Sequence, residues 1–301
     1  MTKSFAQTRL MNSSIENCDL SEDEREIYSR QVFFLGEDLQ KELKQKRVLV
    51  IGAGGLGSPI LFYLAAAGVG NITICDFDTV ELTNLNRQII HNRNRIGQNK
   101  AQSAKKTLES FNDNINVHAV TDPLPPQQLL EKASQCDLVI EATDSMEHKE
   151  IMNQLLVAGG ISCIHGILLG FAGFSLLSMK GSTCLSCLFK KAPVYSTGRA
   201  LPFKFYPSFG ASAGSLGSLI CNISIRYLLS FEVQVVNKII YLSQLLPFKQ
   251  LMLCSRGLKA IMSDHFKDSL RSTSREFPEN NTLVTEHVVT PNPECNVCKT
   301  I

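Results

Sequence analysis

An α/β fold, a doubly wound and mostly parallel sheet with helices on both faces, is predicted by three features of this sequence. After Lys46, short apolar runs alternate with helix-like segments. A glycine-rich turn, Gly52-Ala53-Gly54-Gly55-Leu56-Gly57, joins the first run to the helix behind it. Asp76 and Asp144 each stand just past a later apolar run, at the carboxyl ends of strands where ligands of such sheets collect.

The elements follow in order. Residues 1–20 are polar and without periodicity, and read as a flexible tail ahead of one domain spanning 21–301. In Ser21-Glu22-Asp23-Glu24 a serine precedes a glutamate by three, the pattern that caps a helix, and the helix is expected to run through Tyr28 to Phe34. Val48–Ile51 is a buried strand and Ser58–Ala67 a helix; Asn71–Cys75 is the next strand and delivers Asp76. Residues 98–111 and 125–134 read as helices, 115–120 as a strand, and Asp137–Glu141 as a buried strand ending at Ala142-Thr143-Asp144.

From Ile161 the pattern changes to strands separated by Gly166, Gly170 and Gly173, with a hairpin-like passage to Met179 that extends the sheet with antiparallel strands. Residues 189–208 read as a loop crossing the active site and Phe209–Leu229 as a helix rich in small residues. Strands are expected near 237–243 and 248–254, and the stretch 256–290 is polar and uninformative.

Composition excludes some functions. A net charge of +2 argues against nucleic acid as a partner; the local patches Lys41–Arg47 and Asn86–Lys105 read as solvated helix faces or a phosphate site. Ile151–Met179 and Phe205–Ile225 lack charged side chains, but glycine, serine and asparagine interrupt both, so no membrane span is expected. Ten cysteines follow an N-terminus without a secretory signal, which implies reduced thiols and a cytoplasmic location. Cys75, Cys136, Cys163 and Cys221 lie in apolar runs and read as core.

The turn is a nucleotide site. Gly52 permits the sharp turn, Gly54 and Gly55 allow backbone to approach a phosphate, and Gly57 lets the helix pack on the strand. Free N–H groups at the helix start face the anion. Asp76 is spaced to grip ribose hydroxyls. Beyond it, Asp78, Asn84, Arg87, Gln88 and Lys100 bring carboxylate, amide and cationic groups; Arg87 and Lys100 suit a triphosphate, whose leaving pyrophosphate needs charge offset.

These residues also carry a family resemblance. Gly-x-Gly-Gly-Leu-Gly-Ser, Asp-x-Asp-x-Val, Asn-Leu-x-Arg-Gln and Gly-x-x-Lys, within Tyr28–Cys298, resemble the MoeB/ThiF/HesA adenylating enzymes, relatives of the ubiquitin-activating proteins. The resemblance implies a Rossmann-like fold, ATP as cofactor, and attack of a carboxylate on its α-phosphorus. It implies a homodimer in which Arg30, in a Tyr-x-Arg-Gln context, enters the partner's ATP site. It assigns Mg2+ to Asp144, for which a helix N-cap is the alternative. Catalytic roles thus fall to Arg30, Arg87, Lys100 and Asp144. Two Cys-x-x-Cys pairs, Cys184/Cys187 and Cys295/Cys298, stand where the family carries a structural Zn2+, and their spacing supplies four thiolates that pin the C-terminal tail, 291–301.

Two departures bear on the substrate. After Asp144 the family continues with asparagine and, four residues on, arginine; here they are Ser145 and Lys149. No thiol lies between Cys187 and Cys221, so the crossing-loop cysteine of ubiquitin-activating relatives is absent. These favour a carboxylate on a ribosomal precursor peptide, as in ThiF-like enzymes of microcin C or pantocin maturation. The alternative acceptor is the C-terminal glycine of a ubiquitin-like sulfur carrier in molybdopterin or thiamine synthesis. An NAD-dependent oxidoreductase or simple nucleotide-binding protein is the reading from a different class.

Overall fold

A computed structural model describes residues 18–189, 208–231, 236–243 and 284–298. The expected loop at 189–208, the strand near 248–254 and the tail before residue 18 lie largely or wholly outside the described residues. Three short helices come first: α1 (Glu22–Ile27), α2 (Ser29–Leu35) and α3 (Glu37–Gln45). The capping box forms as expected, with Ser21 Oγ accepting from Glu24 N and Glu24 Oε2 from Ser21 N. The single expected helix is broken at Tyr28, whose side chain is buried in the body of the protein.

The nucleotide-binding half then alternates: β1 (Arg47–Ile51), α4 (Gly57–Ala66), β2 (Asn71–Cys75), α5 (Lys100–Phe111), β3 (Asn116–Val120), α6 (Pro126–Ser134), β4 (Leu138–Glu141), α7 (Met146–Ala158) and β5 (Cys163–Leu169). The remainder comprises β6 (Ala172–Ser178), α8 (Leu185–Leu188), α9 (Gly210–Leu228), β7 (Lys238–Ser243) and β8 (Val284–Val288). One eight-stranded sheet has the order β3-β2-β1-β4-β5-β6-β7-β8. Its first five strands are parallel, and β6, β7 and β8 continue it antiparallel. That is the doubly wound, mostly parallel sheet with an antiparallel extension that the sequence predicts.

One expectation is corrected. Gly166 and Gly173 do not separate strands; they lie within β5 and β6, paired across the hairpin with Ser175 and Leu168. Their role is clearance for α9: a Cβ on Gly166 would come within 2.6 Å of Ile220 Cδ1, and one on Gly173 within 2.6 Å of Leu216 Cδ2. Only Gly170 turns the hairpin, at φ +62°. Within the stretch 256–290, on which the sequence is uninformative, β8 occupies Val284–Val288 and pairs with β7. Its Val-Thr-Glu-His-Val sequence has only two apolar residues with three polar ones between them, so no period-two pattern marks it as a strand.

Helix α4 is buried on nearly all sides, so the carbonyls at its C-terminal end need partners from protein rather than water. Gln31 and Gln40 both donate to Ala67 O, and Asn112 donates to Ala65 O and to the Tyr28 hydroxyl. The N-terminal helices are thereby fastened to the helix behind the glycine turn. At its other end, α4 sits so close to the turn that a Cβ on Gly57 would lie 2.0 Å from Gly52 O. Gly57→Ala is therefore expected to cost about 3 kcal/mol or more, or to prevent folding, as read by urea denaturation followed by circular dichroism.

Candidate active site

A cleft of about 510 Å3 opens along the carboxyl ends of the parallel strands, where β1 and β4 adjoin and the chain winds in opposite directions. Its walls come from Ile51, Asp76, Asp122, Ala142 and Leu168, one at the end of each of β1 to β5. Gly52, Gly54 and Gly55 form its floor, with Arg87, Gln88, Lys100 and Asp144 around them. Gly52 adopts φ +100°, and a Cβ there would meet the Ala142 backbone at 3.0 Å, so turn and β4 link press together.

Asp76 holds the turn from one side. Its Oδ2 accepts from Ala53 N at 2.8 Å and its Oδ1 from Asp78 N at 3.0 Å. Burial raises its pKa, opposed in part by the Ala53 N–H. From the other side His91 Nε2 lies 2.9 Å from Ala53 O, and its Nδ1 lies 2.9 Å from Ser103 Oγ. A carbonyl only accepts, so Nε2 carries the hydrogen and Nδ1 accepts from the serine hydroxyl. The Ala53 peptide is thus gripped at both its N–H and its C=O.

The excursion between β2 and α5 carries the cations. Asn99 caps α5, accepting from Gln102 N, and its amide donates back to Asp76 O. Lys100 follows, largely buried, with Nζ 2.9 Å from Asp78 Oδ2. Arg87 donates to Thr83 O and to Asn86 Oδ1, both at 3.0 Å. Gln88 is buried against the floor, and its Oε1 has no hydrogen-bond partner among the described residues. The outer end of the cleft is more apolar, with Cys75, Leu124, Leu129 and Met152, and with Phe77 and His148 in edge contact at 6.5 Å between ring centroids.

Most of the expected site residues converge here, and some do not. Asn84 is absent from the cleft wall; its Oδ1 accepts from Glu81 N and steadies the short 3-10 turn Leu82–Asn84. Gly57 serves packing behind the floor. Arg30 is exposed on α2 and lines no part of the cleft, while its neighbours Tyr28 and Gln31 face inward. Asp144 is exposed and lines the cleft; Ser145, not Asp144, caps α7, accepting from His148 N. Lys149 does not reach the cleft wall: it turns into the core and pairs with Glu141. Sequence reading missed the wall residues Phe77, Asp122, Leu168 and His148; the strand-end rule would have located Asp122 and Leu168, whereas His148 shows only in three dimensions.

The second cluster lies at the far end of α7. Cys184 precedes α8 at its N-cap and Cys187 lies within it, and Cys295 and Cys298 approach them from the C-terminal segment, all four sulfurs within 4.8 Å of one another. Neighbouring separations are 4.0 Å for Cys184–Cys187, 3.7 Å for Cys184–Cys295 and 3.4 Å for Cys187–Cys298. A tetrahedral thiolate site with bonds of about 2.3 Å requires roughly 3.8 Å between sulfurs, so the donor set fits a structural zinc. Asn292 N donates to Cys187 Sγ at 3.3 Å, and the hydrogen bond with the Cys184 thiol lowers the pKa of Cys187.

Fold and cleft together define a class, the α/β proteins that hold a nucleotide at the switch point of a doubly wound sheet. Within that class the chain belongs to the ThiF family, which it matches over residues 28–256. It is 38% identical over 190 residues to the maize adenylyltransferase and sulfurtransferase MOCS3-1, covering 62% of this chain and 41% of that protein. It is 44% identical over 156 residues to the probable adenylyltransferase/sulfurtransferase MoeZ of Mycobacterium tuberculosis, covering 51% of this chain and 40% of the relative. The chain therefore spans less than half the length of either. In fold it resembles E. coli MccB crystallised with AMPCPP and MccA, at a TM-score of 0.68 and 21% identity over 91% of this chain and 74% of that one. No helix among the described residues is long and apolar enough to cross a membrane.

Burial holds the pKa of His91 down, from 6.5 to about 4, against the pull of the Ala53 carbonyl. The unfolded chain takes up this proton near pH 6.5 but the folded chain only near 4. Stability is thus complete above about 6.5 and falls by roughly 3 kcal/mol as pH drops to about 4. His91→Gln should flatten that part of the pH profile, measured by urea denaturation at graded pH.

Proposed function

We propose that this chain is an ATP-dependent adenylyltransferase that joins a substrate carboxylate to AMP. The observation that carries this reading is that Arg87, Lys100 and Asp144 line one cleft with the glycine turn and Asp76. A carboxylate oxygen attacks the α-phosphorus, the bond to the bridging oxygen of the β-phosphate breaks, and pyrophosphate leaves with the electron pair. The chain's part is positioning and charge stabilisation. Backbone N–H groups of Gly52–Gly57 and the start of α4 receive phosphate oxygens. Asp76 holds ribose hydroxyls while keeping the Ala53 N–H in place. Lys100, held by Asp78 in the free protein, and Arg87 offset the charge that grows on pyrophosphate. Asp144 is the exposed carboxylate that would hold Mg2+, which neutralises the phosphates when bound. Arg30, too far out to serve its own cleft, acts on the partner's cleft in a homodimer.

For the acceptor, the relatives favour the alternative over the first expectation. The proteins at 38% and 44% identity are named adenylyltransferase and sulfurtransferase, which supports the C-terminal glycine of a ubiquitin-like sulfur carrier. One ground for a peptide acceptor also weakens, because Lys149 is in the core. The peptide reading keeps the missing loop thiol in its favour. An oxidoreductase would leave two cations in the cleft without a task. The four-cysteine cluster, with no ligand position left open, serves as a structural zinc site that ties the C-terminal segment to α8.

Exchange of labelled pyrophosphate into ATP, with Mg2+ and either a carrier protein ending in Gly-Gly or a short peptide acid, tests the reaction and separates the acceptors. Asp144→Ala and Lys100→Ala are each expected to lower exchange by about a hundredfold or more with unchanged circular dichroism; full activity in either overturns the assignment. Mixed dimers of Arg30→Ala with Lys100→Ala should regain part of the exchange, and no recovery would count against action across the dimer. Metal analysis of the purified protein should find zinc, and Cys298→Ser should lose it together with thermal stability.

A further inference from the structure

Beneath the cleft lies a charged cluster that the proposed reaction does not use. Glu141, the last residue of β4, is wholly buried, and Lys149, on the second turn of α7, is 2% exposed. Between them runs a four-residue link, Ala142 to Ser145, every member of which lines the cleft. One oxygen of Glu141 accepts from Lys149 Nζ. The other accepts from Thr143 N at 3.0 Å and from the Thr143 hydroxyl. The remaining ionisable neighbours are His165, whose Nδ1 is 3.6 Å from Glu141, and Cys163, 4.0 Å from the same imidazole nitrogen. Burial keeps His165 neutral against the pull of Glu141 and drives the Cys163 thiol up. The cluster is therefore one carboxylate facing one ammonium.

Taking both charges out of water costs about what their attraction returns, and an apolar pair of the same volume is commonly no less stable. Stability alone does not account for such a pair. What the pair does here is geometric: the carboxylate that receives α7 also receives the backbone and hydroxyl of Thr143, closing the link into a ring. The link is pressed from the other side by the glycine turn, since a Cβ on Gly52 would meet Ala142 at 3.0 Å and Thr143 N at 3.1 Å. Asp144, next in the chain, has no hydrogen bond to hold its carboxylate among the described residues, so its place is set by its backbone.

We infer that Glu141 and Lys149 are positioning residues, which set Asp144 at a fixed distance from the glycine turn and so preorganise the cleft for Mg·ATP. This rests on the adenylation reading for the role of Asp144, and adds that the precision of that role comes from two side chains outside the cleft wall. A carboxylate that wanders binds a metal–phosphate complex less well than one held in place, because the ordering cost falls on the binding event.

The test is ATP binding by titration calorimetry, with and without Mg2+, which needs no acceptor. Lys149→Met leaves Glu141 buried and unpaired, and is expected to lower both thermal stability and affinity. The double variant Glu141→Leu with Lys149→Met should regain thermal stability, yet bind Mg·ATP about tenfold more weakly than the native chain while binding ATP without metal within about threefold. Lys149→Arg should retain native affinity. Thr143→Val, which leaves the ion pair whole and removes only the hydroxyl donor, should weaken Mg·ATP binding by about threefold and serves if the double variant fails to fold. Native Mg·ATP affinity in a folded double variant, or in Thr143→Val if the double does not fold, overturns the inference. A native chain that binds ATP no better with Mg2+ than without it overturns instead the adenylation reading on which it rests.

Discussion

The close crossing of backbone at Gly52 and Gly57 is the constraint on which the rest of the structure depends. With 2.0 Å between Gly52 O and the position of a Gly57 Cβ, no side chain fits where α4 leaves the turn. That proximity aims the start of α4 at the cleft and lets the turn bear on the link after β4. Gripping Ala53 between Asp76 and His91 converts a permissive glycine loop into a fixed one. A loop free to reorganise would bear its ordering cost each time a nucleotide bound.

Helix α7 joins the two functional regions. Its first residues, Ser145 and His148 with them, border the cleft, and Lys149 beneath it meets Glu141. One turn further on, Asn153 accepts from Leu185 N and donates to Ser186 Oγ, holding α8, the short helix that carries Cys187. Val157 then packs against the cysteine cluster itself. The helix is amphipathic in an unusual sense, since its inward positions carry a cation and an amide as well as aliphatic side chains. Each buried polar group on it has a defined partner, as low-dielectric surroundings demand.

The antiparallel end of the sheet is organised differently. β6 is buried along its whole length, and glycines in β5 and β6 let α9 lie close against them. Strands β7 and β8 then bring the C-terminal segment round to the cysteines, where Thr183 Oγ1 donates to Val289 O at 3.0 Å and Gly181 N donates to Cys298 O at 3.1 Å. A sheet edge and the cysteine cluster thus hold the same segment from two sides. The match to the ThiF family, over residues 28–256, includes β6, α9 and β7 and ends before β8 and the last two cysteines.

Local chemistry in the sequence determined the parallel half of the fold and most of the cleft. Period and punctuation placed β1 to β4 and the helices between them, the glycines announced a turn that only glycine can make, and strand-end acids had one crevice to occupy. The paired cysteines were legible because two Cys-x-x-Cys pairs supply the four thiolates of a tetrahedral site, where a single pair could equally serve redox chemistry. Tertiary structure decided what depends on direction rather than on residue type. Asn84 read as a candidate for the cleft and Lys149 as a replacement for the family's arginine, but a side chain's face is set by packing: Asn84 went to its own turn and Lys149 to a buried carboxylate. Gly166 and Gly173 looked like breaks between strands and are clearances within them, because the helix that needs the room is distant in sequence. His91 was invisible for the same reason: its partners Ala53 and Ser103 are brought near by folding and leave no trace in the residues beside it.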